Sequence, residues 1–189
     1  MSRIAIFGGT FDPVHTAHLV VARAAIEEYA LDKVLFVPAS HPPHKPNAMI
    51  ASYEDRYRMI ELACEDEPRC EASRLEEGKG ASYSVLTIRK LQAQSGDGDR
   101  LFFLIGSDAF AEIRSWYRWQ DVIQAVEFIV VTRPGHEYSS PEGARIHRLD
   151  TLALPVSSSE IRVQLARRET VEELPERVAE YVRERGLYG

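Results

Sequence analysis

Two histidines, His15 and His18, lie just beyond a pair of glycines near the start of the chain. The segment that contains them, residues 8–18, joins a short apolar stretch to an amphipathic helical pattern. A glycine-rich turn between a strand and a helix is a natural phosphate site, because amide N–H groups and the positive end of the helix dipole meet there. Residues i and i+3 share one face of a helix, so both imidazoles can point at the same anion. The spacing therefore predicts an anion-binding site, although a lone histidine would more often be a cap or a packed core residue.

A second candidate anion site lies near the other end of the chain, where the serines 157–159 open a helical pattern that includes Arg162. Hydroxyl groups, unpaired amides and the helix dipole together favour an anion at such a helix start. Simple N-capping with a surface arginine is the alternative, and it uses the same atoms. Neither G-x-G-x-x-G nor the Walker A pattern occurs, so the chain lacks those two phosphate-binding motifs.

The length, charge and residue content of the chain exclude several classes of protein. The chain has 189 residues, a net charge of −6 and 44% hydrophobic residues, which is ordinary for a globular protein and argues against general nucleic-acid binding. No apolar run approaches the ~20 residues of a membrane span. Because the N-terminus enters the first strand almost directly, we expect no signal peptide and a cytoplasmic location. Cys64 and Cys70 match no zinc spacing and cannot build a disulfide framework, so we predict no metal held by the protein itself.

Strand and helix patterns alternate along the chain. Strands are predicted at 3–7, Lys33–Pro38, 70–73, 101–105, Glu127–Thr132 and 145–149. Helices are predicted at about 17–30, 53–65, 83–94, 158–166 and 175–185, with Ser82 as the cap of the third helix. This alternation predicts one α/β domain over residues 1–189, with a doubly wound, Rossmann-like parallel sheet and helices on both faces.

In such a sheet, ligands bind beyond the carboxyl ends of the strands. Polar, glycine-bearing and basic segments follow four of the predicted strands, at 8–18, 38–45, 106–108 and 133–135. We therefore expect these four segments to gather along one rim of the sheet.

The sequence of residues 8–18, Gly-Gly-Thr-Phe-Asp-Pro-Val-His-Thr-Ala-His, resembles the signature of the nucleotidylyltransferase superfamily and, more narrowly, that of the bacterial nicotinate-nucleotide adenylyltransferases. Further stretches match that family in order, at 42–45, 82–84, 106–108, 116–117, 133–135 and 156–162, so that the resemblance covers nearly the whole chain. The chain departs from the family at Ala17, which replaces Gly, at Ser159, which replaces Thr, and at Leu86, which replaces Asp.

The resemblance implies that ATP and nicotinate mononucleotide react to give nicotinate adenine dinucleotide and pyrophosphate. The phosphate of the mononucleotide attacks the α-phosphorus of ATP, so no protein nucleophile is needed. Catalysis then depends on positioning and on stabilisation of charge in the transition state, a task shared by Mg²⁺ carried on the ATP phosphates. The substrates are small molecules, and neither nucleic acid nor membrane is an expected partner.

The resemblance also implies roles for individual residues. Asp12 is expected to shape the first turn, for which an Asx-type cap is the alternative. The expected phosphate-binding catalytic residues are His15, His18, Lys45 and Arg162. The expected ATP-binding residues are Gly8, Gly9, Thr10, Phe11, Gly106, Asp108, Ser157, Ser158 and Ser159. The expected mononucleotide-binding residues are Ser84, Trp116, Tyr117 and Arg133, with Trp116 stacked on the pyridine ring and Arg133 adding positive charge near the acid substrate.

Two other functions remain open at the level of sequence. One is a different transferase of the superfamily, such as a pantetheine-phosphate adenylyltransferase or a cytidylyltransferase. The other is a nucleotide-binding sensor domain without turnover. The sequence also leaves open whether the chain forms a homo-oligomer, which mononucleotide it prefers, acid or amide, and whether the loop 39–51 closes over substrate.

Overall fold

The computed structural model describes residues 1–41, 50–78, 80–132, 138–150 and 156–189. The strands in these ranges are β1 (Arg3–Gly9), β2 (Lys33–Pro38), β3 (Cys70–Ala72), β4 (Arg100–Gly106), β5 (Glu127–Thr132) and β6 (Arg145–Asp150). The helices are α1 (Thr16–Glu28), α2 (Tyr53–Cys64), α3 (Ser84–Gln94), α4 (Ser107–Ala111), α5 (Trp119–Ala125), α6 (Ser158–Ala166) and α7 (Glu176–Arg185), with a 3₁₀ turn at Ile113–Ser115.

The six strands form one parallel sheet in the order β3-β2-β1-β4-β5-β6. The order reverses between β1 and β4, and this is the switch point at which ligands bind in such sheets. The register places Gly8 beside Val37 of β2 and Phe7 beside Leu104 of β4. The carboxyl ends of the three central strands therefore meet at the glycine pair. The predicted α/β class is confirmed.

Successive side chains of a strand point to opposite faces of the sheet, so each central strand contributes to two buried clusters, one on each face. Ala5, Phe36 and Phe102 belong to one buried cluster, which includes residues of α1, α2, α6 and α7. Ile6 and Phe103 belong to the other, which includes residues of α3, α4 and α5. Helices thus cover both faces, which is why the central strands β1, β2, β4 and β5 are largely apolar, whereas the edge strand β6 carries polar residues.

Three local predictions are corrected. α4 and α5 were not expected from the sequence, because they have five and seven residues and too few turns to show a helical period. Ser82 does not cap α3; Tyr83 is the N-cap, and the Ser82 hydroxyl accepts the backbone N–H groups of Ser40 and His41 at 3.0 Å each. β1 continues through Gly8 and Gly9, since pairing with β2 outweighs the poor strand preference of glycine.

Among the helices of the described ranges, none has the length and apolar character that a membrane crossing needs. The predicted location in the cytoplasm stays a prediction.

Candidate active site

The first turn is built around a close approach of Gly9 to the ring of Phe11. A Cβ added to Gly9 would lie 3.0 Å from that ring, tighter than nine in ten real Cβ contacts, so an alanine here would require the buried ring to move by a few tenths of an ångström. Phe11 has a φ of 50°, an unusual conformation for a bulky residue, and it is only 2% exposed. Its ring packs against Phe7, Phe36 and His18. The turn is therefore held by aromatic packing as well as by backbone.

His15 and His18 lie face to face at the start of α1. Their ring centroids are 3.7 Å apart, with an angle of 31° between the ring planes. The backbone N–H of His15 donates to Nδ1 of His18 at 3.2 Å. Because that bond makes Nδ1 an acceptor, the neutral ring of His18 carries its proton on Nε2. The structure brings the two predicted histidines together and leaves His18 with an Nε2–H donor for a ligand.

Both rings are neutral at pH 7. Burial lowers the pKa of His15 to about 4, and its side chain is only 4% exposed. Burial and the neighbouring His15 together hold the pKa of His18 well below its usual value. Two stacked imidazoles disfavour charging each other. A polyanion placed beside them would favour their charged forms, so ligand binding should raise both pKa values.

The amides of the first turn of α1 are less available than the sequence suggested. The N–H of Thr16 donates to the carbonyl of Glu173 at 2.8 Å, and the N–H of His18 donates to the carbonyl of His15 at 3.0 Å. These two groups are occupied within the protein. The imidazoles, rather than a full set of free amides, are therefore the principal donors at this turn.

Asp12 lies at the centre of a buried network below the histidines. Its carboxylate accepts the backbone N–H groups of Ile50 and Ala51, at 2.8 and 3.1 Å, and the hydroxyl of Tyr188 at 2.6 Å. The expected shaping role fits these contacts, whereas the Asx-type cap does not, because all three partners are distant from Asp12 in sequence. Asp12 ties the end of the 39–51 loop and the C-terminus to the first turn.

Arg56 supports the same turn from α2. It is 1% exposed, and its Nη1 donates to the carbonyls of Thr10 and Ala39 at 2.8 and 2.9 Å. Sequence reasoning missed Arg56 and Tyr188. Arg56 had a usable signal, because it shares the buried face of α2 with Met59, Ile60 and Ala63. Tyr188 had none, because it lies beyond the last helix.

The start of α6 is bound to the first turn. The Ser158 hydroxyl donates to the carbonyl of Pro13 at 3.0 Å, and Arg162 Nη1 donates to the carbonyl of Asp12 at 2.7 Å. Ser157 caps the helix by accepting the N–H of Glu160 at 3.2 Å, and Ser159 accepts a bond from Arg162 at 3.3 Å. The second candidate anion site thus lies against the first, and capping and docking already use most of its side-chain groups.

On the other side of the glycine pair lies a cavity of about 160 Å³. Phe103, Ile105 and Trp116 form its apolar part, and Glu76, Ser82 and Ser84 form its polar part. Gly8 and Gly9 line this cavity, whereas the His18 ring packs against Phe7 and Phe11, which belong with the other buried cluster. The half-buried ring of Trp116 meets Phe103 edge to face, with centroids 5.7 Å apart. Glu76 was not predicted, because one carboxylate in an irregular segment gives no sequence signal.

The remaining predicted residues that fall within the described ranges lie along the same rim of the sheet. Tyr117 is 54% exposed, and the centroid of its ring lies 4.6 Å from that of Tyr83. This contact joins the segment of Ser84 to that of Tyr117, both of which are predicted to bind the mononucleotide. Ser84 is the first residue of α3, so its amide has no partner within the helix. Gly106 is the N-cap of α4, and Asp108 is exposed in its first turn. Lys45 and Arg133 lie outside the described residues, as do the rest of 42–45 and the whole segment 133–135.

No group of three or more His, Cys, Asp or Glu side chains suited to a metal ion occurs among the described residues. The Asp12 carboxylate, the carboxylate nearest to the histidines in sequence, is occupied by three hydrogen bonds. Such a donor set fits Mg²⁺ held chiefly by phosphate oxygens and water, the arrangement that this ion prefers with nucleotides.

Comparison with known proteins places the chain in context. The family model described as cytidylyltransferase-like matches residues 6–164. A protein of Solibacter usitatus, named probable nicotinate-nucleotide adenylyltransferase, is 56% identical over 98% of this chain and 99% of its own length. A protein of Moorella thermoacetica with the same name is 40% identical over 98% of this chain and 91% of its own length.

The fold also matches solved structures. The nicotinic acid mononucleotide adenylyltransferase of Plasmodium falciparum, solved in complex with NaAD, superposes with a TM-score of 0.82. The match covers 100% of this chain and 98% of the other, at 17% sequence identity. The same enzyme in complex with APC gives a TM-score of 0.80. At this identity the likeness supports the fold.

Proposed function

This chain belongs to the cytidylyltransferase-like family and, within it, to the nicotinate-nucleotide adenylyltransferases, and we propose that it transfers AMP from ATP to nicotinate mononucleotide. The products are nicotinate adenine dinucleotide and pyrophosphate. The observation that carries this proposal is the arrangement of the site. A pair of imidazole donors lies on one side of Gly8 and Gly9, and a small cavity with an aromatic wall lies on the other. The half of the site that contains the histidines is suited to phosphates, and the half lined by Trp116 is suited to a flat ring.

The chemical step is a displacement at phosphorus. A phosphate oxygen of the mononucleotide forms a bond to the α-phosphorus of ATP, while the bond to the bridging oxygen breaks and its electron pair leaves with pyrophosphate. The protein supplies position and charge complementarity. His18 is the better placed of the two histidines to donate, because its Nδ1 is fixed by the backbone of His15 and its Nε2–H is left for phosphate.

The other polar groups extend the phosphate path. Arg162 and the serines 157–159 lie directly against the Asp12–Pro13 turn, where positive charge would meet the ATP phosphates. Lys45 is proposed to add a further cation, on family resemblance alone. Mg²⁺, when bound to the triphosphate, neutralises part of its charge. Thr10, Phe11, Gly106 and Asp108 are proposed to line the ATP path.

The cavity is proposed to hold the pyridine end of the mononucleotide. Trp116 offers a flat apolar face for the ring. The amides of Ser84 and Tyr117 are proposed to meet the substrate carboxylate, and Arg133 to add positive charge. Elements from both ends of the chain meet at this site, since Ser158 binds Pro13 and Tyr188 binds Asp12. These contacts support the proposal that residues 1–189 form one domain.

A direct assay tests the function. Purified protein is incubated with MgATP and nicotinate mononucleotide, and the dinucleotide and pyrophosphate are quantified. We expect equimolar formation of both. Adenylation of phosphopantetheine in place of the mononucleotide would assign the chain to another transferase of the superfamily. ATP binding by calorimetry without pyrophosphate release, with any acceptor tried, would identify a sensor domain and overturn the proposal.

A further inference from the structure

Tyr188, which follows the last helix, has a backbone that its surroundings must hold in place. At the end of α7 the N–H of Leu187 donates to the carbonyl of Val182 at 3.0 Å, and Gly186 has a φ of 61°. This is a common way for a helix to end and for the chain to turn back. Tyr188 then has a φ of 67°, which a bulky residue rarely adopts. Such a backbone persists only where other contacts fix it, and it is found more often at functional sites than elsewhere.

The side chain of Tyr188 lies against the first turn. Its hydroxyl donates to Asp12 Oδ1 at 2.6 Å, between residues 176 positions apart in sequence. Its ring is half-buried and packs against the cluster that contains Phe11. Burial and the bond to Asp12 raise the pKa of the phenol, so the hydroxyl keeps its proton and remains a donor at neutral pH.

Asp12 is the residue through which this hydrogen bond can act on the site. Its carboxylate is 1% exposed, and its other partners are the backbone N–H groups of Ile50 and Ala51. Within the described ranges, the Tyr188 hydroxyl is the one side-chain donor to this carboxylate. The backbone carbonyl of Asp12 accepts Arg162 Nη1 at 2.7 Å. Asp12 thus connects Tyr188 to the arginine that is proposed to meet the ATP phosphates.

The residues on both sides of Asp12 lead to the histidine pair. The ring of Phe11 lies 5.0 Å from that of His18. His15, three positions after Asp12, is the N-cap of α1, and its N–H donates to Nδ1 of His18. A displacement of Asp12 would therefore move both supports of the His18 ring. Misplacement of a catalytic group by about 1 Å can cost about a hundredfold in rate.

We propose that Tyr188 is a positioning residue for the adenylyl transfer: by holding Asp12 it keeps His18 Nε2–H and the guanidinium of Arg162 directed at the phosphates. This inference rests on the proposed function, which supplies the phosphates. Its effect falls on kcat, because the developing charge of the transition state depends on the direction of a few donors. Binding of the substrates is spread over many contacts and changes little.

The experiment compares the steady-state kinetics of Tyr188→Phe and Tyr181→Phe. Tyr181 of α7 donates to Asp55 Oδ1 at 2.9 Å, so the control also removes one tyrosine–aspartate hydrogen bond, but not one to the first turn. We expect Tyr188→Phe to lower kcat by about tenfold and to keep both KM values within about twofold of wild type. Tyr181→Phe should keep kcat within about twofold. The two variants should lose similar free energies of unfolding in urea, since each loses one bond of the same kind.

A second readout does not depend on activity. Proton–nitrogen correlation spectra of the histidine side chains, recorded without ligand and assigned with His18→Ala, report the surroundings of the His18 ring. We expect the His18 signal to shift in Tyr188→Phe and to stay in place in Tyr181→Phe.

A wild-type kcat in Tyr188→Phe, or an equal loss of kcat in both variants, overturns the positioning role. An unmoved His18 signal in Tyr188→Phe overturns it as well. A wild-type chain that forms no dinucleotide overturns the proposed function instead, and the His18 signal still decides whether Tyr188 positions the ring.

Discussion

At the scale of single residues, the site depends on how neutral side chains are oriented. His18 is fixed by the His15 backbone and packed edge-on against Phe11, with ring centroids 5.0 Å apart. The ring cannot turn freely, so its Nε2–H has a defined direction before substrate arrives. Such preorganised donors are effective because they cost no reorganisation during the reaction.

We predict that His18→Ala lowers kcat by about 10²–10³-fold, the usual effect of removing one donor to a developing negative charge. Steady-state kinetics with saturating ATP and mononucleotide measure this. His147→Ala is the control, because His147 contacts Glu127 on β5, away from the histidine pair. A variant of His18 that keeps the wild-type kcat would remove this residue from the mechanism.

For Trp116→Ala we predict a rise in KM for the mononucleotide with a much smaller change in KM for ATP, because the ring lines only the cavity side of the glycine pair. Trp119→Ala serves as the comparison, since Trp119 begins α5 and does not line the cavity. Initial-rate measurements with each substrate varied in turn separate the two constants. Equal increases in both KM values would show that Trp116 acts through stability rather than by stacking.

At the scale of elements, the site is a junction between the end of β1 and the starts of α1 and α6. Hydrogen bonds from Ser158 and Arg162 hold α6 to the Asp12–Pro13 turn. Arg56 of α2 holds the carbonyl of Thr10. Four elements thus fix one turn, and this is why its backbone can keep the unfavourable conformation of Phe11.

The two glycines at the end of β1 should respond differently to the same substitution. Gly9→Ala places a Cβ 3.0 Å from the Phe11 ring, which is buried and must move by a few tenths of an ångström to accept it. We therefore predict a loss of about 1–3 kcal/mol in the free energy of unfolding, together with a lower kcat. In Gly8→Ala the added Cβ would lie 3.6 Å from the ring of Phe103, which is an ordinary van der Waals contact. This variant should therefore have nearly the same free energy of unfolding as the wild type. Urea denaturation of both variants provides the measurement, and equal losses would contradict the steric argument.

At the scale of the whole molecule, two polar regions lie at opposite ends of the strands. The site lies at the carboxyl ends of the strands, and an ionic network lies towards the other end, where Arg100 of β4 binds Glu127 of β5 through bonds of 2.8–3.0 Å. His147 of β6 approaches the same carboxylate at 2.8 Å. This network joins three strands without involving the site, so stability and catalysis can be perturbed separately.

We predict that Glu127→Gln lowers stability at pH 7 and leaves kcat unchanged. Burial raises the pKa of Glu127, but hydrogen bonds from His147 and Arg100 outweigh it, so the pKa lies below the usual value. Because the pKa of Glu127 is lower in the folded chain than in the unfolded chain, its ionised carboxylate stabilises the fold at pH values above the pKa of the unfolded chain. This stabilisation is lost as the pH falls through the pKa of the folded chain. The difference between variant and wild type should therefore shrink as the pH falls below about 4.5, as thermal melts at several pH values would show. A difference that does not change with pH would contradict the role assigned to the charge.

The oligomeric state also belongs to this scale. Sedimentation at several protein concentrations would determine it.

The sequence by itself determined the fold class, the order of the strands and of the longer helices, and the glycine- and histidine-bearing turn at 8–18 that we propose to bind phosphate. It could do so because these features depend on local patterns: apolar strands, helical periodicity, and two histidines three positions apart. The family resemblance then supplied a reaction for them. Two elements, β2 and β5, were predicted to the residue, since each is a continuous apolar run bounded by polar residues or breakers.

Only the tertiary structure decided which groups surround that turn. Asp12, Arg56 and Tyr188 form one network although they are far apart in sequence. Glu76 came to line a cavity with Trp116 because α3 and the end of β4 pack on the same face of the sheet. A lone charged residue in a sequence usually lies on the surface, and its neighbours are fixed only when the strands pair and the helices cover them. Burial and the shifts in pKa are consequences of that packing.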